Sequence, residues 1–381
     1  MQKRIRIVSI EIVLIILLII VIILNNNTNN KHTFKKDGIL YALSLDGKSI
    51  TSFPSKGLYI VNVSCDGANG KWLYDDWKLI IENINGDVSC DIKFETITKT
   101  YLNDYIIGLT GTTQGTGQVV NENGFRYEGK NPNNYVWFNN EYWRIIGVFD
   151  SASHGQNDKN LVKIIRDDVL DGLAWDKSKT NDWTTASLNL LLNGVYYNDQ
   201  DGTSSGYCYG NGTTIGANCD YTKRGIQPYY RKMIANVTWF LGGCSSVDAI
   251  TETYYECERG TTVYSGRPTT TTGYIGLMYP SDYGYSVLSS SCKRTTNLDS
   301  YGLCARQSWL YGKGHIWTIT PNSLNGDSVF ITNFVGTLYS VGTLNGNGNR
   351  PVVYLDSSIF VYDGEGTLDH PYIIGMWEPL V

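Results

Sequence analysis

The chain has 381 residues, of which 18% are charged and 13% are aromatic, and it contains 40 glycines. About 25% charged residues is usual for globular proteins, so this composition excludes a disordered chain and a long helical assembly. The formal net charge is −5, with +5 on the first 36 residues and −10 on the remainder. The negative charge of the main part repels phosphate and argues against nucleic-acid binding.

A hydrophobic segment, Ile7–Leu24, lies near the N-terminus and contains one charged residue, Glu11. A helix of this length spans about 27 Å, close to the hydrocarbon thickness of a bilayer. Basic residues in the preceding stub, 1–6, favour a cytoplasmic N-terminus. We therefore expect a single-pass signal anchor in the cell membrane, a polar stalk over 25–36 and an extracellular domain beyond it.

Two alternatives to an uncleaved anchor remain open. A cleaved signal peptide would need a small-residue cleavage site after the hydrophobic segment, and the sequence there is NNNTNNKHT. Glu11 is the fifth residue of the segment, which resembles the leader of a type IV pilin. However, Arg6 occupies the position where those leaders carry a small residue, normally glycine.

The eight cysteines fall into neighbouring pairs separated by 25, 11, 13 and 12 residues. None forms a C-x-x-C motif, so zinc ribbons and thioredoxin-type redox sites are not indicated. An even number of cysteines beyond a membrane anchor favours disulfides between neighbours, although eight unpaired thiols remain an alternative. The predicted bridges are Cys65–Cys90, Cys208–Cys219, Cys244–Cys257 and Cys292–Cys304.

A small β-module is predicted over 37–97. Hydrophobic residues alternate with polar ones in 57–65, 77–84 and 89–97, which is the pattern of strands with one buried face. The segment 98–134 that follows reads as an irregular connector.

The second domain is predicted over 135–375. Aromatic and β-branched runs flank Asn139 and Asn140, which tolerate the positive φ that a tight hairpin needs, so 135–149 should form a hairpin. We expect strand 350–355 to lie in the same antiparallel sheet.

Two helices are predicted against this sheet, over 183–193 and 228–240. The first keeps the i, i+3, i+4, i+7 spacing of leucine and valine side chains, and Pro228 suits the first turn of the second. Residues expected in the core beneath them are Leu188, Leu192, Ile234 and Val237.

The motifs YVWFNNEYWRIIGVF, RGTTVYSGRP, GLMYPSDYGY, WTITP and NRPVVYL resemble a group of uncharacterised surface proteins of low-GC Gram-positive bacteria. Their C-terminal domains are similar to the C-type-lectin-like branch that includes formylglycine-generating enzymes. The resemblance implies an α+β protein: an N-terminal transmembrane helix, a small all-β module, and a C-type-lectin-like domain with an antiparallel sheet and two helices. It implies no activity, because the calcium-binding tripeptides of C-type lectins are missing and no cysteine follows Cys304.

No local motif supports a catalytic residue, a metal site or a cofactor. The four histidines belong to no H-E-x-x-H pattern, and the chain has no G-x-S-x-G. Asp167 and Asp168 could contribute to a calcium site, but a solvated turn is the simpler interpretation.

Tyrosine, tryptophan, asparagine, serine and glycine are frequent in 245–315, the residue set of binding loops. The leading hypothesis is therefore a non-catalytic extracellular binding or adhesion protein whose ligand is a glycan or a surface protein. An extracellular enzyme acting on glycans or cell-wall polymers, and a pilin-like surface subunit, are the alternatives. The predicted ligand contacts are Asp282, Tyr283, Tyr285 and Trp309, although the same aromatics could instead form a core under the loops.

Overall fold

The computed structural model describes residues 33–36, 39–56, 59–73, 76–96, 100–212, 218–245 and 248–376. The chain divides into two compact units at residue 98. The predicted membrane anchor, Ile7–Leu24, lies outside the described residues. Within the described ranges, no helix is both long enough and apolar enough to cross a membrane.

Every regular element described in the first unit is a strand. One sheet has the order β1-β2-β7-β4, with β3 paired to β2, and β5 and β6 form a separate hairpin. Alternate side chains of β2 and β7, including Leu43, Ile92 and Phe94, pack with Trp72 in a small core. The strands are β1 Thr33–Lys36, β2 Ile39–Leu45, β3 Lys48–Ile50, β4 Tyr59–Asp66, β5 Asn69–Leu73, β6 Lys78–Glu82 and β7 Val88–Thr96.

The second unit is built on an eleven-stranded sheet and a five-stranded sheet, with a further strand pair, β16–β17. Its strands are β8 Thr100–Tyr101, β9 Thr113–Gln114, β10 Thr116–Asn121, β11 Phe125–Asn131, β12 Tyr135–Phe138, β13 Glu141–Phe149, β14 Leu161–Arg166, β15 Gly172–Ala174, β16 Val237–Phe240, β17 Thr270–Gly273, β18 Ile275–Gly276, β19 Ile316–Pro321, β20 Ser328–Thr332, β21 Leu338–Gly342, β22 Gly346–Gly348, β23 Val352–Leu355, β24 Ile359–Asp363 and β25 Tyr372–Met376.

The large sheet runs in the order β18-β23-β14-β13-β12-β25-β24-β8, and β9, β10 and β11 extend it through the pairing of β11 with β13. The predicted hairpin 135–149 is confirmed, with φ of 57° at Asn139 and 59° at Asn140. Strand β23 joins this hairpin through β14, so the predicted sharing of one sheet is also confirmed. The second sheet has the order β15-β22-β19-β20-β21.

The described helices are short, and the longest has nine residues. They are α1 Leu102–Gly108, α2 Ser151–His154, α3 Ser187–Leu190 with a π-helical continuation Leu191–Tyr196, α4 Pro228–Arg231, α5 Thr251–Arg259, α6 Pro280–Gly284, α7 Ser290–Thr295, a 3₁₀ turn Leu298–Ser300 and α8 Gly302–Ala305.

The predicted α+β class is wrong, because the fold is mostly β and only 16% helical. The predicted C-type-lectin-like arrangement, with two helices against an antiparallel sheet, is wrong for the same reason. The expected helix 228–240 ends after one turn and continues as β16, where buried Val237 and Trp239 alternate with half-buried neighbours. The expected connector 98–134 contributes strands β8 to β11 to the large sheet.

All four predicted disulfides are present. Cys65 and Cys90 lie directly opposite each other on β4 and β7, so this bridge joins two strands as predicted. The bridge between Cys292 and Cys304 ties α7 to α8. The residues expected in the core, Leu188, Leu192, Ile234 and Val237, are all buried.

Candidate functional site

The four residues predicted to contact a ligand lie beneath the surface. Asp282, Tyr283, Tyr285 and Trp309 are each less than 5% exposed. The residue types that are frequent in binding loops also form aromatic cores, and here these side chains lie in the core. In this structure none of these four side chains is accessible to a ligand at the surface.

Asp282 is the centre of a buried charged cluster, which we call the Asp282 cluster: Asp282, Arg126 and Lys163. Asp282 Oδ2 accepts from Lys163 Nζ at 2.5 Å and Oδ1 accepts from Arg126 Nη1 at 3.0 Å. Arg126 comes from β11 and Lys163 from β14, while Asp282 belongs to the helix α6. The N–H of Tyr279 also donates to Oδ2 at 3.0 Å, which caps α6. The cluster therefore fixes α6 to the large sheet.

Aromatic rings enclose the amine of Lys163. Burial disfavours the charged forms of both partners in this pair. It lowers the pKa of Lys163 to about 8, against the attraction of Asp282. For Asp282, the neighbouring Lys163 and Arg126 outweigh burial and hold the pKa at about 2. The rings within 6 Å of the Lys163 nitrogen belong to Phe149, Trp239, Tyr279 and Tyr354.

Two further buried glutamates bind residues of α6 and α7. Glu258 on α5 accepts from the backbone N–H of Ser281 at 2.9 Å and from its hydroxyl. Glu128 on β11 accepts from Lys293 of α7 at 2.7 Å. Burial raises the pKa of each glutamate to about 7. Glu258 therefore attaches α5 to α6, and Glu128 attaches α7 to the large sheet.

The three predicted aromatic contacts are also structural. Tyr283 donates its hydroxyl to the carbonyl of Gly336 at 3.0 Å, and the Trp309 indole donates to the carbonyl of Tyr127 at 2.8 Å. The hydroxyl of Tyr285 accepts from Asn123 at 2.9 Å. Each side chain therefore has an internal partner.

The acidic pair Asp167 and Asp168 faces a lysine. Lys313 Nζ lies 3.3 Å from Asp167 and 3.5 Å from Asp168. In the part of the chain that the structure describes, no three His, Cys, Asp or Glu side chains are arranged to hold a metal ion.

An exposed hydrophobic surface lies on α8 and on the turn between β20 and β21. We call it the apolar tip: Leu303, Phe334 and Val335, which are 78%, 65% and 45% exposed. The backbone of α8 adjoins the turn, since a Cβ placed on Gly302 would lie 3.1 Å from the carbonyl oxygen of Val335. Exposed apolar side chains on adjoining elements make this surface a candidate for contact with a partner.

The turn that carries the apolar tip is held firmly. Asn333 Oδ1 accepts from the N–H groups of Val335 and Thr337, and its amide donates to the Thr337 hydroxyl. Gly336 adopts φ of +89°, and a Cβ there would collide with Ala305 of α8. The turn and α8 therefore form one packed unit, which the Cys292–Cys304 bridge ties to α7.

Sequence reasoning missed the apolar tip. A signal was present, because Phe334 and Val335 stand between Asn333 and Gly336, which are turn-forming residues. Hydrophobic residues inside such a turn have no strand face to bury them. The exposure of Leu303 had no comparable signal, since it depends on how α8 packs.

A shallow groove of about 390 Å³ lies on the first unit. It follows the outer face of the sheet, and both signs of charge line it, from Asp91, Lys93 and Glu95. This mixture selects for neither an anion nor a cation.

The chain matches no family model, and no curated protein sequence and no solved structure is detectably similar to it. The function proposed below therefore rests on the geometry of this chain's own residues.

Proposed function

We propose that this protein is a non-catalytic extracellular binding or adhesion protein, and that the apolar tip contacts its partner. The observation that carries the proposal is the exposure of Leu303, Phe334 and Val335 on elements that are held rigidly. Rigid presentation lowers the entropy that binding costs. A large apolar side chain left in water without such a use lowers solubility.

The chemistry of the apolar tip favours a protein partner. Its side chains are aliphatic apart from Phe334, and they carry no hydrogen-bonding group to recognise a glycan hydroxyl. The chain beyond residue 36 has a net charge of −10, and an acidic domain is repelled by anionic lipid surfaces. We infer that the partner presents an apolar depression on a protein surface.

The extracellular location is part of the same proposal. Four disulfides support it, because such bonds persist in oxidising compartments. The hydrophobic segment Ile7–Leu24 would attach the protein to the cell membrane with its N-terminus in the cytoplasm.

Three probes separate the possible partners: a random peptide library displayed on phage, a glycan array, and neutral or anionic phospholipid vesicles. Each probe is tested against the part beyond the hydrophobic segment, residues 25–381, and against the variant Leu303→Ser/Phe334→Ser. Both substituted side chains are exposed, so the variant keeps the buried core.

The proposal predicts that peptides rich in apolar residues are enriched by the natural protein and lose binding to the variant. Enrichment that is equal for the two proteins would contradict it. Binding to glycans or vesicles that survives in the variant would also contradict it, because another surface would then be the contact.

A further inference from the structure

The Asp282 cluster contains an amine and a carboxylate placed for reaction. Lys163 Nζ lies 2.5 Å from Asp282 Oδ2, and both side chains are 1% exposed. This contact holds the amine beside the carboxyl group, and a rotation of the carboxyl plane would turn its carbon towards the nitrogen, so little of the entropy of bringing the two groups together remains to be lost. The pair is not used by the binding function proposed above, and the inference below is independent of that function.

We propose that Lys163 and Asp282 condense into an isopeptide cross-link between β14 and α6. A bond forms between Lys163 Nζ and Asp282 Cγ, and the bond between Cγ and Oδ2 breaks. Oδ2 leaves as water with two protons from the ammonium group, and the third proton stays on the amide nitrogen. The step needs no oxidant, reductant or co-reactant.

Neighbouring groups are placed to assist this step. Arg126 Nη1 donates to Oδ1 at 3.0 Å, the oxygen that gains negative charge in the tetrahedral intermediate and remains as the amide carbonyl. A preorganised donor at such an oxygen stabilises the transition state. The N–H of Tyr279 donates to the departing Oδ2. The first ammonium proton passes to Oδ2 across their contact, which gives the neutral amine and the protonated carboxyl group that react. Burial lowers the pKa of Lys163 to about 8 and so makes this transfer less costly than for an exposed lysine.

The surroundings of the pair also favour the product. The two ions of a buried pair lose their hydration, whereas the amide is neutral. Arg126 loses its carboxylate partner but keeps its hydrogen bonds to the carbonyls of Glu122 and Asn123. Well-oriented groups within one molecule react with effective concentrations of about 10⁵–10⁸ M. The enclosing rings exclude the water that would drive hydrolysis. Condensation is therefore favourable here, although it is unfavourable between free groups in water.

A second buried pair provides an internal control. Lys293 Nζ lies 2.7 Å from Glu128, with both side chains at most 5% exposed. Among the described residues, however, Glu128 Oε1 has no hydrogen-bond partner, so no donor would stabilise its oxyanion. Lys293 is also shared with Glu122 at 2.5 Å. We expect this pair to remain an ion pair.

Mass spectrometry of the natural full-length protein tests the proposal. After reduction and unfolding, tryptic digestion should release a branched peptide that joins the stretches containing Lys163 and Asp282. Its mass should be lower than the sum of the two separate peptides by one water molecule. Peptide-level detection makes the result independent of any processing at the N-terminus.

Substitutions of single residues show which side chains form the bond. Lys163→Arg and Asp282→Ala should abolish the branched peptide, whereas Lys293→Arg should retain it. Recovery of Lys163 and Asp282 only in separate, unmodified peptides of the natural protein would overturn the proposal. This last result does not depend on whether any variant folds.

Discussion

Asp282 and Lys163 are 119 residues apart in the sequence, and Asp282 and Arg126 are 156 residues apart. Aspartate and lysine are almost never fully buried unless they are paired, so residue type alone placed Asp282 at the surface. Its burial depends on Arg126 and Lys163, which come from two different strands, and the sequence alone does not show that these strands meet. For this reason sequence reasoning expected a ligand contact at a position where the structure has a buried charged cluster.

Substitution of Lys163 should be costly if the buried pair holds α6 to the sheet. Lys163→Met keeps the length of the side chain, but it removes both the ion pair and the proposed cross-link and leaves Asp282 buried with one cation. Breaking a buried ion pair lowers the free energy of unfolding by about 3–5 kcal/mol, and the loss of a cross-link lowers it further. Chemical denaturation of the natural protein and the variant measures the difference.

Lys159→Met is the matched control. Lys159 pairs with Asp356 at 3.3 Å on the same unit, but its side chain is 40% exposed. A surface pair contributes less than about 1 kcal/mol. Equal losses for the two lysine variants would contradict the structural role of the Asp282 cluster.

The buried glutamates should give the second unit a characteristic dependence on pH. Burial raises the pKa of Glu258 from 4.5 to about 7, so the folded protein binds this proton more tightly than the unfolded chain. Stability from this group therefore rises as the pH falls from about 7 towards 4.5. Asp282 binds no proton in this window, either as a carboxylate with a pKa of about 2 or as the proposed amide, so it does not oppose the trend.

Thermal unfolding at pH values between 5 and about 7.5 tests this sign. On acidification the melting temperature of the natural protein should rise relative to that of Glu258→Gln. Glu128 shifts in the same direction, and His154, whose pKa is lowered by burial, shifts in the opposite direction, but both act equally in the two proteins. A difference between the two melting temperatures that does not grow on acidification would contradict the expected linkage.

At the scale of elements, local turn chemistry predicted the hairpin 135–149 correctly. The same signal was overlooked at Asn123–Gly124, which connects β10 and β11 with φ of 51° and 112°. Asn-Gly between alternating runs is a strong hairpin signal, so this part of the fold was predictable. The prediction of a helix over 228–240 was wrong for another reason. A hydrophobic run this short fits both a helix and a strand, and only its neighbours in the folded protein decide between the two.

The tight turn at Asn140 offers a test of the hairpin. Asn140→Val introduces a β-branched side chain where φ is 59°. The left-handed conformation costs such a residue about 1–2 kcal/mol, and the free energy of unfolding should fall by that amount. Asn140→Gly is the control, since glycine adopts positive φ freely. A valine variant as stable as the glycine variant would show that the turn has another conformation.

The whole molecule contains two separate hydrophobic cores. The larger core uses residues from Leu102 to Ile374, and the smaller core uses residues of the first unit. Composition excluded a long helical assembly, and the pattern of cysteines predicted every bridge. The number of strands and their order could not be predicted, because the large sheet joins segments from residue 100 to residue 376.

Separate cores predict independent stability. A fragment of residues 99–381 should unfold cooperatively, with the same denaturation midpoint as the corresponding transition of residues 25–381. Circular dichroism followed during denaturation compares the two proteins. A fragment without a cooperative transition would show that the second unit depends on the first.

The most direct test of the proposed function compares two exposed hydrophobic residues in one binding assay. Phe334 belongs to the apolar tip, whereas Leu324 is 72% exposed in the turn at the other end of β20. The assay measures the affinity of a library-selected peptide for the natural protein, for Phe334→Ser and for Leu324→Ser.

If the apolar tip is the contact surface, Phe334→Ser should weaken peptide binding by roughly tenfold or more, as expected for a central interface residue. Leu324→Ser should leave the affinity unchanged. Equal affinities of the natural protein and Phe334→Ser, or a loss confined to Leu324→Ser, would contradict the proposed binding role of the apolar tip.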